Sequence, residues 1–234
     1  MEDEICIDGI WYELDEGTKT VAVIKLNNEE KYQGEVVIPK VVVYDGVEYL
    51  VTHICGLAFY GCSGLKSITI PESVKQIGSS AICHCSGLTS IIVAENNTIY
   101  DSRNGCNALI ETISNTLIAG CSKTIIPDSV TNIERLAFCG CSRLKSITIP
   151  ESVEEIGYHT FAECRGLKNI YCHNFSKEWL EAFDESLVGD TTLHVPKHVL
   201  EDGFFDTCNK RSKKRYSVLS AFKEIVPLEK KQMK

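Results

Sequence analysis

Apolar residues return along this chain in a fixed block rather than at the spacing of one long helix. The stretch from Val51 aligns with the stretch from Val74, and the same register returns at Val130 and Val153. The fourth position of each block is Ile54, Ile77, Ile133 or Ile156, and Phe59, Ile82, Phe138 and Phe161 follow. Cys62, Cys85, Cys141 and Cys164 come next, then Leu65, Leu88, Leu144 and Leu167, then Ile68, Ile91, Ile147 and Ile170. The motif is V-x-x-I-x-x-x-A-F-x-x-C-x-x-L-x-x-I-x-I-P. Four 23-residue units fill 51–96 and 130–175, and between them 97–129 is an irregular 33-residue unit that ends Thr124-Ile-Ile-Pro-Asp-Ser129.

A 23-residue unit buries too little apolar surface to offset the ordering of its own backbone. Stacked units bury both flanks and share backbone hydrogen bonds, which is the logic of a solenoid. Leu65-x-x-Ile68-x-Ile70 alternates and is β-branched, so it predicts a short strand that Pro71 ends by removing a donor. Val74-x-x-Ile77 suggests a second short strand, and Ala58-Phe59 leaves room for one helical turn at most. Upstream, Ile10 to Leu14, Thr20 to Leu26 and Val36 to Val43 alternate, and Asp45-Gly46 supplies a two-residue hairpin turn. These predict an antiparallel β cap over 1–50 that covers one end of the array. In the irregular unit, Ala108 to Ile113 and Thr116 to Ala119 flank Ser114-Asn115, a hairpin signal that projects from or replaces part of a rung. Phe175, Trp179, Leu180, Phe183 and Leu187 have helical spacing, so 175–188 predicts a short amphipathic helix within a C-terminal cap over 176–234.

These residues resemble the BspA-like leucine-rich repeat of bacterial surface proteins. Ile7-Asp-Gly-Ile-Trp-Tyr-Glu-Leu14, Val36-Val-Ile-Pro39 and Tyr44-Asp-Gly-Val-Glu-Tyr49 are similar to that family's lead-in, and Thr192-Leu-His-Val-Pro196 and Phe222-Lys-Glu-Ile-Val226 to its closing strands. The second unit departs from the pattern at Ile82 and Ala94, and the last ends Ile170-Tyr-Cys-His173. The resemblance implies a β-rich, right-handed, horseshoe-type solenoid with short strands and little helix. It also implies a place at the cell surface or outside the cell, and host extracellular proteins or other cells as targets of adhesion.

Composition narrows the partners. The chain carries 24 basic and 32 acidic residues, a net charge of −8. Ten basic and five acidic residues lie between Lys197 and Lys234, so the body before them carries −13. Such a body repels phosphate backbones, and no nucleic-acid partner is expected. The basic run Lys210-Arg-Ser-Lys-Lys-Arg215 reads as a solvated loop, since no aromatics interleave it. No apolar run reaches the length of a membrane span. The acidic opening Met1-Glu-Asp-Glu lacks an apolar core, so no signal peptide is expected in this chain.

Candidate chemistry is sparse. Ser63-x-x-Lys66 and Ser142-x-x-Lys145 match one motif of penicillin-recognising enzymes, but both fall on the same repeat position and no K-T-G partner exists. Cys83-His84-Cys85 and Cys139-Gly-Cys141 lack zinc-ligand spacing. His194-x-x-x-His198 has Pro196 inside it, which forbids an ordinary helix and suggests a strand end. The twelve cysteines read as buried free thiols behaving as small apolar residues. No cofactor, metal or catalytic set is expected, and the chain reads as non-catalytic.

The remaining reading is a binding face. With Leu65, Ile68 and Ile70 taken by the core, Ser67 and Thr69 point outward by alternation. Carried through the register, one outward column is Thr69, Ile92, Ile125, Thr148 and Tyr171. Beside it run Ser67, Ser90, Lys123, Ser146 and Asn169, and a bordering column holds Lys66, Thr89, Ser122, Lys145 and Lys168. An apolar and hydroxyl strip with a lysine edge suits a protein partner, although β-propensity on a wetted sheet accounts for the same residues. The alternatives are a structural spacer or a targeting domain within a longer surface protein or enzyme.

Overall fold

A computed structural model of the chain describes residues 4–26, 31–183, 190–201 and 222–229. The chain opens with β1 (Glu4–Ile7), β2 (Ile10–Asp15), β3 (Thr20–Val23), β4 (Gly34–Val37), β5 (Val41–Tyr44) and β6 (Val47–Ile54). Asp45 and Gly46 join β5 to β6 with φ of 48° and 76°, as a two-residue turn of that composition requires. The first sheet, ordered β1-β2-β3-β6-β5, is mixed rather than antiparallel, because β3 runs parallel to β6. The segment expected as one strand over 36–43 is two. Pro39 divides it, β5 stays in the first sheet, and β4 runs parallel to the first repeat strand, pairing Val36 with Ile68.

The later repeats build two series of short strands. One series is β7 (Leu65–Ile70), β9 (Ser90–Val93), β14 (Ser146–Ile149), β16 (Asn169–Cys172), β17 (Thr191–Val195) and β18 (Phe222–Pro227). The other is β8 (Gln76–Ile77), β13 (Asn132–Ile133) and β15 (Glu155–Ile156), which follow the ends of the V-x-x-I blocks. On either side of the Phe position the backbone turns through the left-handed region. Leu57, Ser80, Leu136 and His159 share one such position, at φ of 62°, 57°, 61° and 55°. Gly61, His84, Gly140 and Glu163 share the other. Side chains resist this conformation, so its recurrence shows the neighbouring rungs imposing it.

That imposition is a hydrogen-bond ladder along the turns. Phe59 N donates to Ala81 O (2.8 Å), Gly61 N to Cys83 O (3.0 Å), Phe138 N to Thr160 O (2.9 Å) and Gly140 N to Ala162 O (2.8 Å). The repeat cysteine adds a rung of its own, with Cys85 Sγ donating to Phe59 O at 3.0 Å and Cys164 Sγ to Phe138 O at 3.1 Å. Inside the ladder the aromatic rings stack, Phe138 on Phe161 at 5.3 Å and Phe161 on Phe183 at 5.4 Å.

Phe183 belongs to this stack because Lys177–Phe183, and then β17, continue the repeat. The amphipathic helix expected over 175–188 is instead a 3-10 segment, Lys177–Ala182, and Leu187 lies outside the described residues. His159 N and Phe161 N need acceptors on the next rung, and Glu181 O and Ala182 O supply them at 2.9 Å each. A continued α-helix would lock those carbonyls into its own turns. Val199 N donates to Pro196 O at 3.0 Å, just as Val130 does to Pro127 and Val153 to Pro150, and α1 (Lys197–Glu201) follows.

The 33-residue unit forms β10 (Tyr100–Asp101), β11 (Ala108–Glu111) and β12 (Thr116–Gly120), so the hairpin replaces a rung rather than projecting from one. Ala108, Leu109 and Ile110 are all fully buried. Leu109 packs into an apolar cluster with the N-terminal half, while Ala108 and Ile110 pack into a second with the C-terminal half. The Arg103 guanidinium grips Asp101 through two bonds of 2.7 and 2.6 Å and reaches Asn115 at 2.8 Å, pinning the hairpin's turn.

Rung spacing also dictates a glycine. A Cβ on Gly166 would stand 2.1 Å from Ser142 O, and one on Gly87 2.2 Å from Ser63 O, both on the preceding rung. The equivalent residue after the irregular unit is Arg143. Gly166→Ala should therefore lower the stability by about 1–3 kcal/mol in denaturant melts, and Arg143→Ala by less than about 0.5 kcal/mol. Equal effects at the two positions would show that rung spacing does not select the glycine.

Candidate functional site

The outward residues fall on two parallel ladders. In the first, β4, β7 and β9 align Glu35, Ser67 and Ser90 in one column and Val37, Thr69 and Ile92 in the next. In the second, β14, β16, β17 and β18 align Ser146, Asn169, Thr192 and Glu224, and beside them Thr148, Tyr171, His194 and Val226. Ile125 sits between the ladders on a segment without strand pairing among the described residues. Its N–H donates to Cys106 O at 3.0 Å, and Val93 N turns to Ser102 Oγ at 2.9 Å, so residues 102–106 stand between Ile92 and Ile125. Ile125, Ser146, Thr148, Glu151 and His173 line a shallow groove on the second ladder's side.

The structure thus brings Thr69 to Ile92 and Thr148 to Tyr171, but does not join all five in one column. Val37, Ile92 and Ile125 are 65%, 47% and 72% exposed, while Ser67, Thr69, Thr89, Ser90, Asn169 and Tyr171 are only partly so. Lys66, Lys123 and Lys145 are exposed and form no ion pair among the described residues. Lys168 is held by Asp190 at 2.7 Å. Thr89 Oγ1 donates back to Lys66 O at 3.1 Å, and Ser122 Oγ to Leu88 O at 2.8 Å, which turns both hydroxyls toward the array. The basic run at 210–215 lies outside the described residues.

Sequence reasoning missed two members of this face. Val37 precedes the first V-x-x-I block, although Val36-Val-Ile-Pro39 already carries the repeat's I-x-I-P ending. His194 extends the Tyr171 column by one rung, its ring stacked on Tyr171 at 4.3 Å and its Nε2 3.1 Å from Asn169 Oδ1. Its Nδ1 is buried without a hydrogen-bond partner. His198 sits on α1, so the two histidines share no helix face.

Among the described residues eleven cysteines are free thiols, eight of them buried; Cys208 lies outside those residues. Burial pushes Cys85 up to about 12 and holds Cys141 and Cys172 well above the ordinary thiol range, so all three stay protonated. Among the described residues no group of three or more His, Cys, Asp or Glu side chains could hold a metal ion, and no helix is long and apolar enough to cross a membrane.

Short parallel strands, a turn ladder and a repeated Phe-x-x-Cys core define a leucine-rich repeat array. The BspA type leucine rich repeat region matches residues 46–118 and 111–224 in six copies, and this chain belongs to that family. A leucine-rich repeat protein from Bacteroides ovatus is 28% identical over 82% of this chain, with a TM-score of 0.47. The chain spans 47% of that protein's length. A leucine rich cell surface protein from Faecalibacterium prausnitzii is 16% identical, covers 99% of this chain and 97% of its own, and has a TM-score of 0.44. Curated protein sequences yield no significant match.

Burial lowers the His194 pKa, against the weaker upward pull of Glu224 and Glu229. The unfolded chain therefore takes up this proton first as pH falls, so the stability His194 contributes is present above about 6.5 and declines below it. The melting temperature should begin to drop as pH falls through about 6.5, above the range of ordinary carboxylates. A His194→Phe variant should lose that component, and an unchanged profile in the variant would remove His194 as its source.

Proposed function

We propose that the chain is a non-catalytic protein-binding module, an array of right-handed horseshoe type with an N-terminal cap over 1–50 and a C-terminal cap that lies within 176–234 beyond the last rung. The partner docks on the outward side of the strand ladders. The observation that carries this reading is the exposure of Val37 and Ile92 on one strand ladder and of Ile125 beside it. Lysines at 66, 123 and 145, which form no ion pair among the described residues, lie near them on a chain of net charge −8. Isolated exposed aliphatics are ordinary on a protein surface, but several close together beside exposed lysines resemble the apolar centre and charged rim of a protein interface. The lysines steer acidic surfaces, and the isoleucines and valine supply the desolvated contact.

Family membership supports interaction as the role, and resemblance to bacterial surface proteins supports a surface location with host extracellular proteins or other cells as targets. Adhesion is the corresponding activity. The test is interferometry with the immobilised chain against purified extracellular-matrix and serum glycoproteins. The combined Val37→Ser, Ile92→Ser and Ile125→Ser variant should weaken a bound partner by about 10- to 100-fold while leaving the melting temperature nearly unchanged. Undiminished affinity in that variant would reject the strand face, and the hairpin tip at Ile113, 86% exposed, would become the site to test.

A further inference from the structure

The turn ladder contains one step that a uniform array would not produce. His84 N donates to Cys139 O at 3.0 Å, so the second and third 23-residue units touch directly at this edge. The irregular unit between them supplies strands but no Phe-x-x-Cys turn. Cys83 and Cys139 occupy the same repeat position, the one held by Tyr60 and Ala162 elsewhere, and skipping a unit brings them onto adjacent rungs. Adjacent rungs lie about 4.8 Å apart, inside the Cα separation of a disulfide.

Both side chains line one cavity of about 80 Å³, walled by Ile118, Ala119, Leu136 and Cys141. The repeat cysteines Cys85 and Cys164 have committed their thiols to Phe carbonyls of the previous rung, whereas Cys83 Sγ makes a longer contact, 3.6 Å, to Leu136 O on the rung that carries Cys139. Cys83 is also only half-buried, and Cys139 is buried behind it. Cys139 Sγ lies 3.2 Å from His84 Nε2, and the opposite ring nitrogen, Nδ1, faces Glu163 Oε2 at 4.0 Å. An outer thiol, an inner thiol and a base on the inner thiol are thus assembled in one turn.

We propose that Cys83 and Cys139 form an oxidation site that closes into an inter-rung disulfide on reaction with a low-molecular-weight disulfide. The Cys83 thiolate attacks one sulfur of the small disulfide. A bond forms from Cys83 Sγ to that sulfur, the small disulfide's own S–S bond breaks, and the first small thiolate leaves. Cys139 then passes its proton to His84 Nε2 and attacks Cys83 Sγ, expelling the second small thiolate. The protein loses two electrons and two protons, and the small disulfide is reduced to two thiols. The Cys139 thiol beside it, followed by Ser80, draws the Cys83 thiol below its ordinary range, while the same contact holds Cys139 protonated until the second step.

The test uses the full chain, reduced and then incubated with excess oxidised glutathione, alkylated under denaturing conditions and mapped by peptide mass spectrometry. The expected principal product is the Cys83–Cys139 peptide pair, two hydrogens lighter than the separate peptides and restored by dithiothreitol. Cys139→Ser should instead trap glutathione on Cys83. If mapping finds Cys83 and Cys139 both still reduced, or finds Cys83 bonded chiefly to another cysteine, the proposal fails. Limiting iodoacetamide on the native, reduced chain provides a test free of variants. Cys83 should be modified ahead of Cys139, and the reverse order would overturn the assignment of the outer thiol.

Discussion

Everything in this molecule depends on one rung's amide finding a carbonyl on the next. A 23-residue loop with two left-handed turns leaves its turn amides pointing out of its own plane, and no partner for them exists within the repeat. Stacking satisfies them at 2.8–3.0 Å and at the same time brings Phe138, Phe161 and Phe183 face to face. The strained backbone at Leu57, Leu136 and His159 persists because the hydrogen bonds on either side over-determine it. The cysteine after each turn serves the same geometry. Its thiol is small enough for the dry interior and still offers a second donor to the previous rung's Phe carbonyl, which already accepts one backbone amide.

The irregular unit shows what happens when this rule is met differently on two edges. On the strand side it inserts a hairpin buried on both faces, and Asn97 takes the place of the repeat's valine. The Asn97 amide donates to Pro71 O and Val74 O, and its oxygen accepts from Ile99 N and Tyr100 N. A polar residue with every group satisfied can be buried at little cost, which lets the chain leave the repeat path without exposing the rung below. On the turn side Gly120 alone stands in for the repeat's Phe, donating to Ala137 O at 2.8 Å, and beyond it the flanking units meet directly through His84 and Cys139.

Much of the fold was legible because it repeats. The core positions from Val51 to Ile170 follow from one alignment, and each is buried or nearly so. The helix expected from Phe175 to Leu187 failed for a physical reason. Its spacing satisfies a helix as well as a turn, and only the open amides of His159 and Phe161 decide between them. Those amides belong to a different rung, so no local pattern reveals them; Ala182-Phe183 was the one clue, a bare copy of the repeat's Ala-Phe pair. The outward columns were legible within each ladder, since alternation is local. Their continuity across 97–129 was not, because it assumed one layer per unit. The meeting of Cys83 with Cys139, 56 residues apart, has the same origin and was hidden for the same cause.

Unequal layering has a consequence for anything that would cover both ladders. Between the second and third 23-residue units the turns meet in a single step, from Cys83 to Cys139, while the strand edge must also accommodate 102–106 and the segment carrying Ile125. The β4-β7-β9 ladder and the β14-β16-β17-β18 ladder therefore share no strand pairing, like two panels joined through the hairpin unit. A partner that touches both panels must also rest on the seam of 102–106 and Ile125 between them.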